Sequence, residues 1–354
     1  MNSFISHFKP WLLALALLIA IETIVYAVGR PSEFDRTSFL QFSFARDETP
    51  QRLFVYDKIK SFAYSNPTIV QSGDSSGFYG IEPAKVMKHL PAGMSYLNMS
   101  CCANLGFNGY YNLLKFMAER NKSIKYMVLH FTPYTMPRPE MWDSDGAALW
   151  GTPDIKVFGD AIYHEFMSPW RVLELPSLGY RRDVSDRVYY INGLLSRRDR
   201  PMLNNENYLE FLRIYKQTLG WMPETDHRVA VPPTECDIPT PTFFSARRLG
   251  YKSYLEEVLD SFADLAKRHD AKLVIVFQPV ACVVGSGKLN ADARAIIERF
   301  KQAHPEVAVP FPLIESWPAD MFSVPAHIRR EYTDRLGDRL GKAMAEIISA
   351  DNRR

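Results

Sequence analysis

The stretch Thr68-Ile69-Val70-Gln71-Ser72-Gly73-Asp74-Ser75-Ser76-Gly77 decides how the rest of this chain is read. Its first four residues are short, β-branched or apolar, and follow Asn66-Pro67, so they predict a buried strand. The strand then breaks into small polar residues between two glycines. A serine at a sharp strand-to-helix turn holds its hydroxyl above the end of a sheet, open to substrate. Backbone N–H groups at such a turn can point at a developing oxyanion. Gly, Asp and Ser are also ordinary turn residues, so the tripeptide alone fits a plain strand-ending turn equally well.

Outward from this stretch, strands and helices alternate. A helix is expected over Glu82–His89 with Pro83 in its first turn, then a strand at Met94–Met99. Tyr110–Arg120 places Leu113, Leu114, Met117 and Ala118 on one helical face, and Lys125–Phe131 reads as the next strand. The alternation stops at Pro133. From Tyr134 to Phe244 prolines, tryptophans and charges mix, with one clear helix at Tyr208–Leu219, and so long a segment reads as an insertion or cap. Its aromatic residues (Trp142, Trp150, Trp170, Tyr180, Tyr189, Tyr190, Trp221) suit a buried cluster or sugar-stacking rings. The pattern resumes with a helix over Ser245–His269 and a strand over Lys272–Val280. A helix over Ala291–His304 with an Asn290 cap, a short strand at Val307–Phe311 and a last helix over Arg329–Ile348 follow. Strands separated by helices predict an α/β fold with a parallel sheet covered on both faces.

At the N-terminus, Trp11–Val28 is an apolar run interrupted by one charge, Glu22. A membrane span needs roughly 20 apolar residues, so this run suffices, and Tyr26-Ala27-Val28-Gly29 is a poor cleavage site. An uncleaved single-pass anchor in the cytoplasmic membrane is expected, with the remainder facing the periplasm or exterior. Lys9 before the run and Arg30, Glu33, Asp35 and Arg36 after it give the positive-inside rule little to decide on. Glu22 suits either the interface or a contact with a partner's membrane helices. The expected division is therefore an anchor over 1–30, a stalk over 31–67, a core split into 68–133 and 245–354, and the cap over 134–244.

With 42 basic and 40 acidic residues the net charge is +2, which gives no reason to expect nucleic acid. There is no glycine-rich phosphate loop and no CxxC pair. Cys101, Cys102, Cys236 and Cys282 lack metal-ligand spacing and read best as buried thiols. No metal or nucleotide cofactor is implied.

In an open α/β sheet the loops beyond the carboxyl ends of the strands face the ligand together. The first carries Ser75. The second runs Asn98-Met99-Ser100-Cys101-Cys102-Ala103-Asn104-Leu105-Gly106-Phe107-Asn108-Gly109, rich in small residues and amides. The third is His130-Phe131-Thr132-Pro133-Tyr134, where His130 reads as a packed strand-end histidine. The last, before the terminal helix, is Phe322-Ser323-Val324-Pro325-Ala326-His327.

Gly73-Asp74-Ser75 resembles the first block of the SGNH/GDSL hydrolase superfamily, and His327 matches the last block in place and in its flanking Pro-Ala. The resemblance implies a three-layer, flavodoxin-like fold, Ser75 as nucleophile and His327 as general base. Its oxyanion donors would be the N–H groups of Ser75 and of the Ala103–Gly106 turn. Two registers fit the second block, Asn98 with Ala103, or Asn104 with Gly106 and Gly109. The third block's Asn is absent. Val324 stands where the family's Asp would precede the histidine, so the imidazole needs a backbone carbonyl or another acid, such as Asp320 or Glu315. Together these features resemble the membrane-anchored SGNH-like proteins of bacterial polysaccharide O-acetylation. The activity so implied is an O-acyltransferase or esterase acting on acetyl groups of an exported polysaccharide, beside a membrane-bound O-acyltransferase. The Val324 departure leaves a second reading open, a non-catalytic glycan-binding or scaffold partner. A structural cell-envelope protein is the third.

Overall fold

The structure, a computed structural model, describes residues 10–20, 58, 61–101, 106–133, 213–224, 235–236, 254–281, 283–284, 288–324 and 326–353. The chain forms two compact units, one comprising Met1–Tyr56 and Gly151–Leu209, the other Asp57–Trp150 and Glu210–Arg354. In the first unit, residues 10–20 are helical and exposed, with Trp11 at 77% and Leu13 at 72% exposure. Among the described residues no helix is long and apolar enough to cross a membrane. Positions 21–28 of the apolar run lie outside them.

The second unit is α/β. It contains strand β1 (Ile69–Gly73), helices α1 (Ser75–Gly80) and α2 (Pro83–Met87), strand β2 (Tyr96–Asn98), helix α3 (Gly106–Arg120) and strand β3 (Tyr126–Phe131). After the 134–244 segment come α4 (Tyr254–Arg268), β4 (Lys272–Phe277), α5 (Lys288–Ala303), the short hairpin β5 (Phe322–Val324) and β6 (His327–Ile328), and α6 (Thr333–Asp351). Four strands pair in parallel in the order β2-β1-β3-β4. A two-stranded parallel pair also joins Glu235–Cys236 to Val283–Val284.

Side-chain alternation assigns the faces. Ile69, Tyr96, Val128, Val274 and Val276 pack with Ile81, Val86, Leu336, Leu340, Met344 and Ile348 of the α1–α2 and α6 regions. Their neighbours in the strands point the other way, where Phe131 meets Phe107 of α3 at 5.0 Å and Phe277 at 5.3 Å, and Phe262 of α4 closes on Phe107 at 6.4 Å. With both faces covered, β1, β2 and β3 are buried throughout, as continuous apolar runs in parallel sheets require.

Two expected elements differ from what the chain adopts. The helix after β4 begins at Lys288, so Asn290 lies inside its first turn rather than at its cap. Val307–Phe311 contributes a single parallel bridge, Val274 to Ala308, because Pro310 cannot donate to a ladder. The segment before β1 also enters the core: Lys58, Phe62 and Ala63 are buried.

Candidate functional site: a serine, a histidine and a glutamate

The turn from β1 to α1 is built by Asp74. Its side chain caps α1 by accepting from the Ser76 N–H at 3.0 Å and from the Ser76 hydroxyl, while its other oxygen accepts the Thr132 N–H at 2.8 Å. The Asp74 N–H in turn donates to the His130 carbonyl at 3.3 Å. Two of these contacts, to Thr132 and His130, tie the elbow to the end of β3, and three satisfy a carboxylate that is 4% exposed. Gly73 is required at this crossing, since a Cβ there would lie 1.7 Å from the His130 carbonyl oxygen. Ser75 follows as the first residue of α1 and is half-buried.

His327 arrives from the opposite end of the chain on the β5–β6 hairpin, paired across it with Val324. Its Nε2 lies 2.8 Å from the Ser75 Oγ, and its Nδ1 lies 2.8 Å from Oε2 of Glu224. An ionised carboxylate can only accept, which places the imidazole proton on Nδ1 and turns the Nε2 lone pair to the serine hydroxyl. Glu224 is buried at 8% exposure, and the Tyr79 ring packs against the imidazole at 4.9 Å between centroids. A serine hydroxyl, an imidazole and a carboxylate thus stand in hydrogen-bonded series, a geometry able to activate a serine.

The acid is Glu224, not Asp320 or Glu315. Asp320 is exposed in a short 3-10 turn at Ala319–Met321, and its carbonyl accepts from Arg329. Glu315 is held by the Trp317 indole N–H at 2.9 Å and by Arg339 at 2.6 Å. Val324 forms part of the strand opposite His327, so an acid there is replaced by one reaching in from residue 224. Sequence reasoning missed Glu224 because it lies in the segment without periodicity. The one local signal is the ordered end just before it, where the helix at 213–217 stops. The Gly220 N–H bonds the Tyr215 carbonyl at 2.7 Å with Leu219 at φ 54°, a Schellman-type end, and Pro223 follows.

The second loop is organised by Asn98 and Lys58. Asn98 spends both amide hydrogens on the Gly77 and Ile81 carbonyls, at 2.8 and 2.9 Å, and its oxygen accepts from the Ser100 N–H at 3.0 Å and from Gln71 at 3.2 Å. No N–H of that side chain remains for a ligand; it fastens β2 to α1. The Lys58 ammonium donates to the Asn98 and Ser100 carbonyls at 3.1 and 2.5 Å and sits 4.3 Å over the Phe78 ring. Gly106 opens α3; Ala103 and Asn104 lie outside the described residues. The Ser75 N–H, in the first turn of α1, takes no protein acceptor among the described residues.

His130 is fully buried beneath α1, with Nδ1 3.4 Å from the Ser76 hydroxyl. Burial holds its pKa down to about 4, against the smaller opposing pull of the Asp74 charge. Gln278 lies beside the ring, yet neither its amide atoms nor the His130 Nε2 reach a hydrogen-bond partner, so we ascribe no bond to that pair. His130 is thus a neutral packed residue of the polar layer beneath the elbow. Cys101 is buried. Among the expected cap aromatics Trp221 is described and buried; the other six lie outside the described residues. Among the described residues no cluster of His, Cys, Asp and Glu could hold a metal ion.

In comparisons with known proteins, no family model matches the chain and no curated protein matches it.

Proposed function

We propose that this protein is a serine-dependent acyl-ester enzyme, an esterase or O-acyltransferase, working through Ser75, His327 and Glu224. The single observation that carries the reading is the continuous series from the Ser75 Oγ through the His327 ring to Glu224, with both links at 2.8 Å. An unperturbed serine hydroxyl is a weak nucleophile and needs such a base. Ser75 attacks the acyl carbonyl as His327 Nε2 takes its proton, and Glu224 stabilises the resulting imidazolium. The Ser75 N–H binds the tetrahedral oxyanion, with the second donor that the resemblance assigns to the Ala103–Gly106 stretch. Collapse expels the alcohol, which takes the proton from His327 and leaves an acyl-serine. A sugar hydroxyl or water then repeats the cycle and frees Ser75.

The finer fold is the flavodoxin-like three-layer arrangement of the SGNH type. The strand order and the Ala308 bridge beyond β4 support it, being the 2-1-3-4-5 order of that class. The acetylated exported polysaccharide, the membrane-bound O-acyltransferase partner and the periplasmic setting rest on the resemblance of Gly73-Asp74-Ser75 and Pro325-Ala326-His327. The single-pass anchor rests on the apolar run Trp11–Val28, whose described part is an exposed apolar helix. Glu224 fills the role that Val324 leaves vacant, which favours the catalytic over the scaffold reading.

The test is release of p-nitrophenol from its acetate ester by the purified protein. Ser75→Ala is expected to lower kcat on the order of 10³-fold or more. Release that survives this substitution unchanged would overturn the proposal.

A further inference from the structure

Glu224 reaches His327 on an arm that shares no helix or strand with either partner. Three backbone-directed contacts dock this arm. At the edge of the sheet the Asn98 N–H donates to the Leu219 carbonyl at 2.9 Å. At the C-terminal turn of α1, the Met222 N–H donates to the Phe78 carbonyl at 3.4 Å and the Trp221 indole N–H to the Tyr79 carbonyl at 2.7 Å. The last carbonyls of a helix have no partner within it, so these two contacts supply what α1 itself cannot. The Met222 bond is long and the Trp221 bond well formed, so the indole is the stronger of the two links to α1. Trp221 is 6% exposed, which denies its N–H a water acceptor should the link break. The residue it grips is also the one whose ring packs on the imidazole, since Tyr79 lies against His327 at 4.9 Å with the rings tilted by 50°.

We infer that Trp221 is a positioning residue, its indole N–H pinning the 219–224 arm to α1 so that Glu224 meets His327. The inference rests on the reading of Ser75, His327 and Glu224 as one catalytic series. It also makes that series conditional: the base is oriented only while the end of the inserted segment is docked on the helix that carries the nucleophile. The Trp221 ring itself touches no reacting atom in this scheme; it acts wholly through Glu224.

The experiment compares Trp221→Phe, Glu224→Gln and the double variant in the full chain. It reads the NMR resonance of the His327 Nδ1–H proton, which the Glu224 carboxylate accepts, and the rate at which Ser75 is labelled by a fluorophosphonate. Removing the carboxylate in Glu224→Gln is expected to move that proton upfield, as a charge-assisted hydrogen bond becomes a neutral one, and to slow labelling. Trp221→Phe keeps an aromatic ring and removes the donor; it is expected to move the proton in the same direction and slow labelling roughly 10-fold. The deciding result is the double variant, expected to be no slower than Glu224→Gln alone, because a residue that works through Glu224 has nothing left to position. Trp221→Phe slowing labelling equally in both backgrounds, or leaving the Nδ1–H resonance at its wild-type position, overturns the inference. If Ser75 is not labelled in the wild-type protein, the catalytic reading fails. The positioning claim is then still decided by whether Trp221→Phe reproduces the resonance change of Glu224→Gln. Should Trp221→Phe not fold, benzothienylalanine at position 221 keeps the two-ring shape without the N–H and replaces it in every comparison.

Discussion

His130 should make the protein lose stability as the pH falls from about 6.5 towards 4, and the loss follows from its place beneath the elbow. The ring is fully buried, faced by Asp74, Ser76 and Gln278, and burial holds its pKa down to about 4, below the ordinary histidine value of 6.5. The folded state therefore binds the proton more weakly than the unfolded chain. Between those two values the unfolded state takes up more protons, so stability rises with pH and falls as acid is added. A depression of that size corresponds to about 3 kcal/mol lost on going from pH 7 to pH 4. The assay is urea unfolding at several pH values across this range, for the wild type and for His130→Asn, whose amide can occupy the place of Nδ1. Other carboxylates titrate in both proteins, so the difference between the two curves isolates the histidine. The wild type should lose about 3 kcal/mol relative to the variant, with nearly all of the change below pH 6.5. A difference that stays constant from pH 7 to pH 4 would refute the reasoning, because cavity and hydrogen-bond effects of the substitution do not depend on pH.

Gly73→Ala should be among the most damaging single-methyl changes. Its Cβ would meet the His130 carbonyl at 1.7 Å, so β1 and β3 must separate where Asp74 holds them, and soluble expression and the thermal midpoint should both drop sharply. Lys58→Met keeps an unbranched apolar side chain but removes the ammonium over Phe78 and leaves the Asn98 and Ser100 carbonyls without it. At about 1–3 kcal/mol for each buried group, a loss of about 2–6 kcal/mol is expected by chemical denaturation, and a change within 0.5 kcal/mol would contradict it. Tyr126 should ionise near 12, raised first by burial and then by the neighbouring Asp351 carboxylate, which its hydroxyl donates to at 3.2 Å. Asp351→Asn should bring the ultraviolet titration of that tyrosine down without returning it to the ordinary value, and an unmoved titration would rule out the carboxylate's share.

The fold was legible wherever its cause is local. Continuous apolar runs such as Ile69–Val70, Met127–Leu129 and Leu273–Phe277 announce strands buried on both faces, and the helical spacing of Leu113, Leu114 and Met117 announces the layer that covers one of them. Gly73-Asp74-Ser75 announces a turn because those residues cap and bend backbone by themselves. Element ends were less legible: the α5 start at Lys288 and the single bridge at Ala308 depend on neighbours the local pattern does not contain. The site divides the same way. Ser75 could be named from its turn and His327 from the resemblance of its loop to a known block, and the fold brings the two together.

What the amino-acid sequence determined alone was thus the alternation, the elbow and the two loops that bear hydroxyl and imidazole. Tertiary structure alone decided which carboxylate orients the imidazole and what lies under the second loop. Glu224 stands 103 residues from His327, and Lys58 stands 40 from Asn98, separations that no local pattern spans. A hydrogen-bond partner is chosen by distance in space, and among the many carboxylates of the 134–244 segment nothing but the docking of the 219–224 arm distinguishes this one.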